Sequence, residues 1–272
     1  YEDILENRAT MAKVLIKELQ SYKKQYAVPR KTVIDNLEEA VVEEKKIEEM
    51  DVVFLMDRFG YAKTVDVSVY ERNKEAADTE NRYILTCKNT DKICIFTNKG
   101  QMHLLKVLDL PYGKFRDKGI PIDNLSNYNS SEENFIYIIN LGAIIHSRLL
   151  FGTKTAMLKM VDGSEFDVAK RTTASTKLNE DDELLIVHAM TGEETVVMQS
   201  EKEMFLRIEA FTIPEKKKGA VGVRGMKLNA GDALSNIYVL DGESEQTVEV
   251  KGKEVVLNRL RVGNRDTKGT KR

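Results

Sequence analysis

Apolar residues follow two different spacings along this chain, and the change of spacing divides it into two parts. In the first 26 residues, apolar side chains recur every three or four positions, which predicts an amphipathic helix. They are Ile4, Leu5, Met11, Val14, Leu15, Leu19 and Tyr22. We expect the helix to end at Val28-Pro29, because proline cannot continue a helix and biases its predecessor toward extended geometry. The acidic stretch 33–50 is expected to form a short helix or a linker.

From Asp51 onward, short runs of Val, Ile, Leu, Phe and Tyr alternate with turn residues, which predicts β-strands. Five stretches repeat the order strand, tight polar turn, strand, and they span 52–71, 93–112, 149–168, 196–215 and 248–265. Their turns lie about 40, 53, 49 and 50 residues apart. Gly60, Gly100 and Gly252 fall in these turns, where a positive φ favours glycine.

A second piece recurs between the hairpins and supplies two more strands per repeat. It has a basic start, an apolar strand, a polar turn and another strand, as in RDKGIPIDNLSNYNSSEENFIYII and KKGAVGVRGMKLNAGDALSNIYVL. Four strands in about 50 residues are typical of a propeller blade. We therefore predict an all-β fold over 51–272, a propeller-like ring of about five four-stranded blades. A helical segment with an acidic linker precedes it over 1–50.

The distribution of charge along the chain is more informative about function than the net charge. The 272 residues are 42% hydrophobic, enough for a core, and the net charge of −2 provides no overall attraction to nucleic acid. The charge is uneven, however. Residues 211–228 carry one acidic and five basic side chains, and residues 251–272 carry two and eight. Local patches of this kind set the field that a ligand meets.

The basic residues fall at the same position of each repeat, so on a ring they would form a cationic belt. The candidate phosphate-binding residues are Lys114, Arg116, Lys118, Lys170, Arg171, Lys177, Lys216, Lys217, Lys218, Arg224, Lys227, Arg265, Lys268 and Lys271. Glycines among them, such as Gly119, Gly222 and Gly225, are expected to let the backbone bend or approach a ligand closely. Lysines also prevent edge-to-edge pairing of strands, so a purely protective role stays open for each one.

Other chemistries find little support in the sequence. Cys87 and Cys94 have no CxxC spacing, so we interpret them as small strand residues rather than as a disulfide or zinc site. His103, His146 and His188 are far apart, and no HExxH, GxSxG or Walker A motif occurs. Without a signal peptide or an apolar membrane span we expect a cytoplasmic protein. Because the chain begins at Tyr1 without a methionine, we expect a fragment of a longer protein.

The repeats resemble the C-terminal domain of the A subunit of bacterial type IIA topoisomerases, that is, of DNA gyrase and topoisomerase IV. DVVFLMDRFGYAKT, ICIFTNKGQMHLLKVLDLP, RDKGIPIDNL and GAVGVRGMKLNAGDAL resemble that family's blade motifs. The segment YEDILENRATMAKVLIKEL is similar to the end of the preceding coiled-coil and exit-gate region. The resemblance thus covers nearly the whole chain.

The resemblance implies a β-pinwheel whose blades exchange strands with their neighbours, and duplex DNA bent around a basic outer rim through phosphate contacts. It places the catalytic tyrosine upstream of this chain and ATP hydrolysis, with Mg²⁺, on other domains or the B subunit. The chain is then expected to hold no cofactor or metal, to be inactive alone and monomeric, and to bind no membrane. Its partners would be double-stranded DNA, the B subunit, and the rest of its own A subunit. It would act at the nucleoid.

One departure from the family pattern bears on which enzyme this is. Gyrase carries a QRRGGKG-like box in the first blade, whereas the corresponding stretch here, RNKEAADTENRYILTCKNTDK, lacks it and is acidic at Glu75, Asp78 and Glu80. Topoisomerase IV A subunits lack an intact box, so we favour topoisomerase IV over a gyrase-type wrapping domain. A propeller that binds a protein partner is the alternative from another class, and a catalytic propeller is a weaker one.

Overall fold

The structure is a computed structural model that describes residues 5–29, 31–32 and 47–272, in two compact units, 1–46 and 47–272. In the first unit, helix α1 spans Arg8–Tyr26, and the Asn7 side chain caps it by accepting a 3.0 Å hydrogen bond from the Ala9 amide. Its end directly before Val28-Pro29 confirms the predicted helix. The predicted acidic linker falls mostly on residues 33–46, outside the described residues, and the division at residue 50 stays a prediction.

The apolar stripe of α1 is exposed. None of the residues of α1 is buried, and 66% of Leu19 and 52% of Tyr22 are accessible to solvent. An uncovered stripe of this kind requires a partner surface to contribute to stability. None of the described helices is both long and apolar enough to cross a membrane.

The second unit consists of 18 strands in five sheets. Sheet 1 has the order β3 (Tyr83–Lys88), β1 (Asp51–Met56), β2 (Tyr61–Asp66), β6 (Ile120–Pro121). Sheet 2 has the order β10 (Thr172–Ala174), β5 (Gln101–Lys106), β4 (Lys92–Thr97), β7 (Phe135–Asn140). Sheet 3 has the order β11 (Leu184–Met190), β8 (Arg148–Thr153), β9 (Met157–Asp162), β14 (Val223–Arg224). Sheet 4 has the order β15 (Leu234–Leu240), β12 (Thr195–Ser200), β13 (Met204–Glu209), β18 (Thr270–Lys271). Sheet 5 is the hairpin β16 (Thr247–Val250), β17 (Lys253–Val256).

Short helices follow several of these strands. The α-helices are α2 (Val67–Arg72), α3 (Lys74–Glu80) and α4 (Leu141–Ile144). The 3-10 turns span Val107–Asp109, Ile122–Asn124, Gly163–Phe166, Ala210–Thr212 and Leu257–Arg259. Four of the 3-10 turns lie directly after the second strand of a hairpin, where they redirect the chain.

Neighbouring sheets exchange strands. Each four-stranded sheet takes a hairpin and the last strand before the following hairpin from one stretch of chain, but its fourth strand comes from beyond the following hairpin. In this way β6 returns from hairpin β4–β5 to sheet 1, and β14 returns from hairpin β12–β13 to sheet 3. The exchange confirms the β-pinwheel, because no blade is complete without the next repeat.

The hairpin turns have the predicted backbone geometry. Gly60, Gly100 and Gly252 adopt φ values of 86°, 70° and 76°. In the third and fourth hairpins the same turn position is held by Ala156 and Glu203, at φ 62° and 63°. The turn geometry therefore repeats even where the sequence offers no glycine to mark it.

The sheets stack face to face because both faces of their central strands are apolar. Ile95 of β4 faces sheet 1 in a cluster with Phe54, while its neighbour Phe96 points to the other face and packs on Phe151 of sheet 3. The same alternation joins sheet 3 to sheet 4 through Leu150. Strands buried on both faces read as continuous apolar runs, as these do.

One face of sheet 1 is covered by helices instead of a sheet. Val53 and Leu55 of β1 pack against Ala77 of α3 and Val67 of α2. The alternating residues 67–71 predict a continuing strand, and this prediction is wrong. The Asp66 side chain ends β2 and begins α2 by accepting a 2.7 Å hydrogen bond from the Ser68 amide.

The fifth blade differs from the expected four strands. Among the described residues, hairpin β16–β17 pairs with no further strand, so the unit has four four-stranded sheets and one two-stranded sheet. Leu257, just after β17, is fully buried in a cluster with Val197 and Leu240 of sheet 4. The apolar contact with sheet 4 therefore holds the hairpin in place without a full sheet.

Candidate nucleic-acid interface

The two edges of each four-stranded sheet have different surroundings. At one edge, β7 contacts β3 and β11, and β11 contacts β15, so these strands of successive sheets converge. Converging strands line the inner side of a propeller-like arc. The fourth strands β6, β10, β14 and β18 form the opposite edge, which is therefore the outer one.

The segments that lead to the fourth strands carry most of the predicted cations, and the others lie on those strands or just after them. Residues 112–119 cross from hairpin β4–β5 to sheet 1, and residues 215–222 cross from hairpin β12–β13 to sheet 3. Each begins with a parallel bridge to the receiving hairpin, Tyr112 to Thr64 and Glu215 to Met160. The recurrence of basic residues in the sequence thus becomes a recurrence in space, at the outer edge of successive sheets.

Most of the predicted site residues are exposed at this edge. The exposed ones are Lys114, Arg116, Lys118, Lys170, Arg171, Lys177, Lys216, Lys217, Arg224, Lys227, Lys268 and Lys271. The remaining two, Lys218 and Arg265, are partly buried. We refer to the 12 exposed residues as the rim cations.

Two rim cations have weak partners within the protein. Lys217 Nζ lies 3.4 Å from Glu165 Oε1, and Arg224 Nη1 lies 3.4 Å from Asp266 Oδ1, with both cations more than half exposed. Exposed pairs of this type contribute about 0–1 kcal/mol, so a phosphate can replace the carboxylate at little cost.

Lys218 and Arg265 use their charged groups to hold the protein's own backbone. Lys218 Nζ donates to the carbonyl of Glu165 at 2.8 Å, and Arg265 Nη1 donates to the carbonyl of Arg224 at 3.0 Å. Both predicted site residues therefore have a structural task, and their prediction as phosphate contacts stays a prediction.

Three glycines let the crossing segments approach the sheets. A Cβ added to Gly119, Gly222 or Gly269 would lie 2.5–2.6 Å from the carbonyl oxygen of Ala62, Leu158 or Phe205, respectively. These are equivalent positions in sheets 1, 3 and 4, each directly before the fourth strand. The close approach expected of Gly119 and Gly222 is thus made to the protein's own backbone.

Gly225 has a similar role in the core between sheets 3 and 4. A Cβ there would lie 2.5 Å from Leu158 Cδ1 and 2.8 Å from Met198 Sδ. By contrast, nothing lies within 4 Å of a Cβ at Gly219. The glycines of GAVGVRG therefore serve packing at positions 222 and 225 and are unconstrained at 219.

Sequence reasoning missed the side chains that hold the crossing segments from beneath. Lys63 of β2 donates from Nζ to the carbonyls of Phe115 and, at 2.9 Å, of Asp117. Lys159 of β9, only 1% exposed, donates to the carbonyls of Lys218 and Ala220, both at 2.8 Å. A lone lysine inside an apolar strand run was the available signal, since such a residue is rarely buried without partners.

A histidine takes this place in sheet 2. His103 Nδ1 lies 3.1 Å from Thr172 Oγ1 of β10, and His103 Nε2 lies 3.1 Å from Glu133 Oε2. Glu133 also accepts a 2.6 Å hydrogen bond from Thr97. This buried network attaches β10, and with it the neighbouring Lys170 and Arg171, to the hairpin.

The cysteines are structural residues. Cys87 of β3 and Cys94 of β4 are free and buried, and burial raises the pKa of their thiols to about 11 and about 12. Both thiols therefore stay protonated and unreactive at neutral pH. Within the described part of the chain, no three His, Cys, Asp or Glu side chains are grouped to hold a metal ion.

Known proteins resemble this chain in sequence and in fold. The family model described as DNA gyrase C-terminal domain, beta-propeller, matches residues 147–188 and 194–241. The DNA gyrase A protein of Lawsonia intracellularis is 28% identical over 99% of this chain and 35% of its own length. The chain thus spans about a third of the curated relatives it matches.

Two solved structures share the fold at lower sequence identity. The C-terminal domain of DNA topoisomerase IV has a TM-score of 0.74 and 22% identity, over 82% of this chain and 73% of that one. The C-terminal domain of DNA gyrase A has a TM-score of 0.55 and 17% identity, over 81% and 76%.

Over most of its length this chain is similar in sequence to DNA gyrase A, and in fold to the C-terminal domains of topoisomerase IV and gyrase A. The predicted family resemblance and the β-pinwheel are confirmed. The relatives include gyrase A proteins and the solved structures include both enzymes, so the preference for topoisomerase IV stays a prediction. The rim cations lie near the outer edges of four successive sheets.

Proposed function

We propose that residues 47–272 bind and bend duplex DNA without sequence specificity, as the C-terminal domain of a type IIA topoisomerase A subunit. The observation that carries this proposal is the repetition of exposed Lys and Arg on the segments crossing to the outer edges of four successive sheets. A regular series of cations on a protein of net charge −2 favours a long polyanion over a compact anion.

The curvature of the edge supports bending as well as binding. A duplex that contacts several blades in succession must follow the arc, and bending 20–30 base pairs by 40–90° costs about 1–6 kcal/mol. Contacts with successive blades would offset that cost. A duplex long enough to reach several sheets should therefore bind more tightly than one that reaches a single sheet.

A salt series with two duplex lengths tests the proposal. We expect binding of both duplexes at low salt, tighter binding of the longer one, and a fall in log K with log salt of about 0.9 per phosphate neutralised. Equal affinity for heparin and for the short duplex would indicate a general electrostatic surface. Absence of binding to any duplex at low salt would favour the alternative, a propeller that binds a protein partner.

We further propose topoisomerase IV rather than gyrase as the parent enzyme. In support, residues 67–80, close to where gyrase carries its basic box, form α2 and α3 and include Glu75, Asp78 and Glu80. The gyrase relatives support the alternative. Ligating nicked circular DNA in the presence of the chain separates the two. A shift in linking number indicates gyrase-like wrapping, and binding without a shift indicates topoisomerase IV-like bending.

The chain would act as one part of a larger enzyme. We propose that it stays in the cytoplasm at the nucleoid, that it is joined to the rest of its A subunit, and that a B subunit supplies ATP hydrolysis with Mg²⁺. No tyrosine here matches the family's catalytic one, so the chain alone should neither relax nor supercoil plasmid DNA with ATP and Mg²⁺. Light scattering should give the mass of a monomer, and a relaxation assay should show no change in topoisomers.

A further inference from the structure

At one position of the hairpins, a polar residue recurs and contacts the segments at the outer edge. In the strand register, Lys63 is opposite Leu55, His103 is opposite Ile95 and Lys159 is opposite Phe151. The equivalent residue of sheet 4 is Leu206, opposite Met198. Since leucine serves at this position, completing a four-stranded sheet does not require a polar side chain there.

Lys159 shows what the polar residue does. Its ammonium donates to three carbonyls of one crossing segment, those of Lys217, Lys218 and Ala220, at 3.3, 2.8 and 2.8 Å. The three N–H donors of a lysine are thereby matched by three acceptors, which offsets the cost of burying the charge. The Phe151 ring, 5.5 Å from Nζ, covers another side of the ammonium.

The backbone held by Lys159 is the one that displays rim cations. The Lys216 amide donates to the Met160 carbonyl at 2.8 Å, which fixes the start of the segment, and Gly222 contacts Leu158 at its end. Lys159 fixes the middle. Lys216 and Lys217 thus project from a segment that is held at three points.

Lys63 holds the corresponding segment of sheet 1. Besides its bonds to the carbonyls of Phe115 and Asp117, Nζ lies 5.1 Å from the centre of the Phe115 ring. The Asp117 carboxylate in turn accepts a 2.8 Å hydrogen bond from the Lys114 amide. The rim cations between 114 and 118 are therefore also carried by an anchored loop.

We propose that Lys63 and Lys159 are positioning residues for DNA binding, which hold the crossing segments so that the rim cations meet the phosphates without further ordering. This inference rests on the proposed function. Neither lysine needs to touch the duplex. Segments fixed in advance lose less conformational freedom on binding, so removal of an anchor should weaken binding even though no charge on the rim has changed.

If Lys159 holds the segment through its charged ammonium, DNA binding should depend on pH. A role in packing alone would give no such pH dependence. Burial lowers the pKa of its ammonium to about 8, and Glu165 opposes that shift. The segment it holds also carries Lys217 and Lys218, whose ammonium groups lie 3.4 Å from the Glu165 carboxylate and 2.8 Å from the Glu165 carbonyl, respectively. As the pH rises through about 8, a neutral amine loses one donor and turns a lone pair toward the carbonyls.

The test compares Lys159→Met with Leu206→Met, the same position in sheet 4. Lys159→Met should still unfold cooperatively and bind a multi-blade duplex about 3- to 10-fold more weakly at neutral pH. It should also lack the fall in affinity between about pH 7 and 9 that we expect of the unmodified chain. Leu206→Met should keep both the affinity and the pH profile. Unchanged affinity together with the unmodified pH profile in Lys159→Met overturns the proposal.

Hydrogen exchange separates this proposal from the proposed function. Without DNA, Lys159→Met should speed exchange of the Lys216, Lys218 and Ala220 amides, all hydrogen-bonded in the unmodified chain, and Leu206→Met should not. If neither the unmodified chain nor any variant binds DNA, but the exchange pattern is as expected, the DNA-binding function is rejected. The role of Lys159 in holding the crossing segment is then retained. Unaltered exchange rejects the anchor. If Lys159→Met does not fold, Lys63→Met takes its place, with the amides of residues 114 and 117 as the readout.

Discussion

The layers between the sheets and the outer edge of the same sheets are built from different chemistry. Between sheets 2 and 3, Phe96, Phe151 and Phe166 pack ring against ring with no more than 1% of each exposed. At the outer edge, short two- or three-residue strands are held by glycine contacts and by single polar anchors such as Lys159. The layers supply apolar burial and the edge supplies geometry for charge. Separate parts of each blade therefore account for the stability of the fold and for the proposed DNA binding.

The largest effect is expected from removing a ring between the layers. Phe96→Ala should lower the free energy of unfolding by about 3–5 kcal/mol, because the cavity left among Phe151, Phe166 and Tyr137 cannot collapse fully. Urea denaturation measures this. Phe211→Ala is the matched control, since 80% of Phe211 is exposed, and it should change stability by less than about 0.5 kcal/mol. A loss below about 1 kcal/mol for Phe96→Ala would contradict the role given to the layers.

A smaller effect on stability is expected at the edge, together with a loss of binding. In Gly222→Ala the new methyl group would lie 2.5 Å from the Leu158 carbonyl oxygen, so β14 must move away from β9. We expect a loss of about 1–3 kcal/mol and weaker DNA binding. Gly219→Ala, three residues earlier in open space, should alter neither. Denaturation and a DNA titration on both variants check this, and equal behaviour of the two would remove the close-approach argument.

A change confined to rim charge should affect binding alone. In the variant Lys216→Glu with Lys217→Glu, Lys218 is left unchanged because its Nζ holds the Glu165 carbonyl. We expect the melting curve to be preserved and the salt dependence of DNA binding to flatten by about one for each phosphate that is no longer bound. Reversing Lys13 and Lys17, exposed on α1, is the control of equal charge. If both double variants weaken binding equally, net charge rather than the rim accounts for it.

The smallest effect is expected from Glu183, a partly buried residue that pairs with one lysine from each of two hairpin turns. Glu183 meets Lys99 at 2.9 Å and also pairs with Lys154, and hydrogen bonds from these lysines lower the pKa of its carboxyl to about 2. Because the folded pKa lies below the unfolded value of 4.5, the contribution is present above about pH 4.5 and is lost as the pH falls toward 2. Because nearly half of each lysine side chain is exposed, solvent screens both ion pairs, and Glu183→Gln should cost less than about 1 kcal/mol at neutral pH. Denaturation curves along an acid series should converge for variant and unmodified chain at low pH, and parallel curves would contradict this.

Several features of the fold could be predicted because they depend on neighbours in sequence. Helix α1 and its end before Pro29, the five hairpins and the positive φ of Gly60 and Gly100 all follow from local spacing and turn chemistry. The family motifs led to the pinwheel. Ala156 adopts the same left-handed turn conformation, but this could not be predicted because alanine, unlike glycine, does not indicate a positive φ.

The error at residues 67–71 shows where local patterns are insufficient. Val67 and Val69 alternate with polar residues as a strand would, but Asp66 caps a helix there and Ala77 fills the face of sheet 1. No sheet packs on that face within the described residues, so helices cover it. The apolar surface of β1 and β2, rather than the periodicity of residues 67–71, accounts for the helical conformation of α2.

The sequence by itself determined the hairpins, their turns and the recurrence of basic residues at one place in each repeat, because these are set within about 20 residues of chain. Only the tertiary structure decided which edge is the outer one, that Gly222 approaches Leu158 rather than a ligand, and that Lys159 and Lys218 hold backbone. These contacts join residues some 50–60 positions apart through strand exchange between blades. A side chain's partners across such an interval depend on how the sheets stack, which no local spacing encodes.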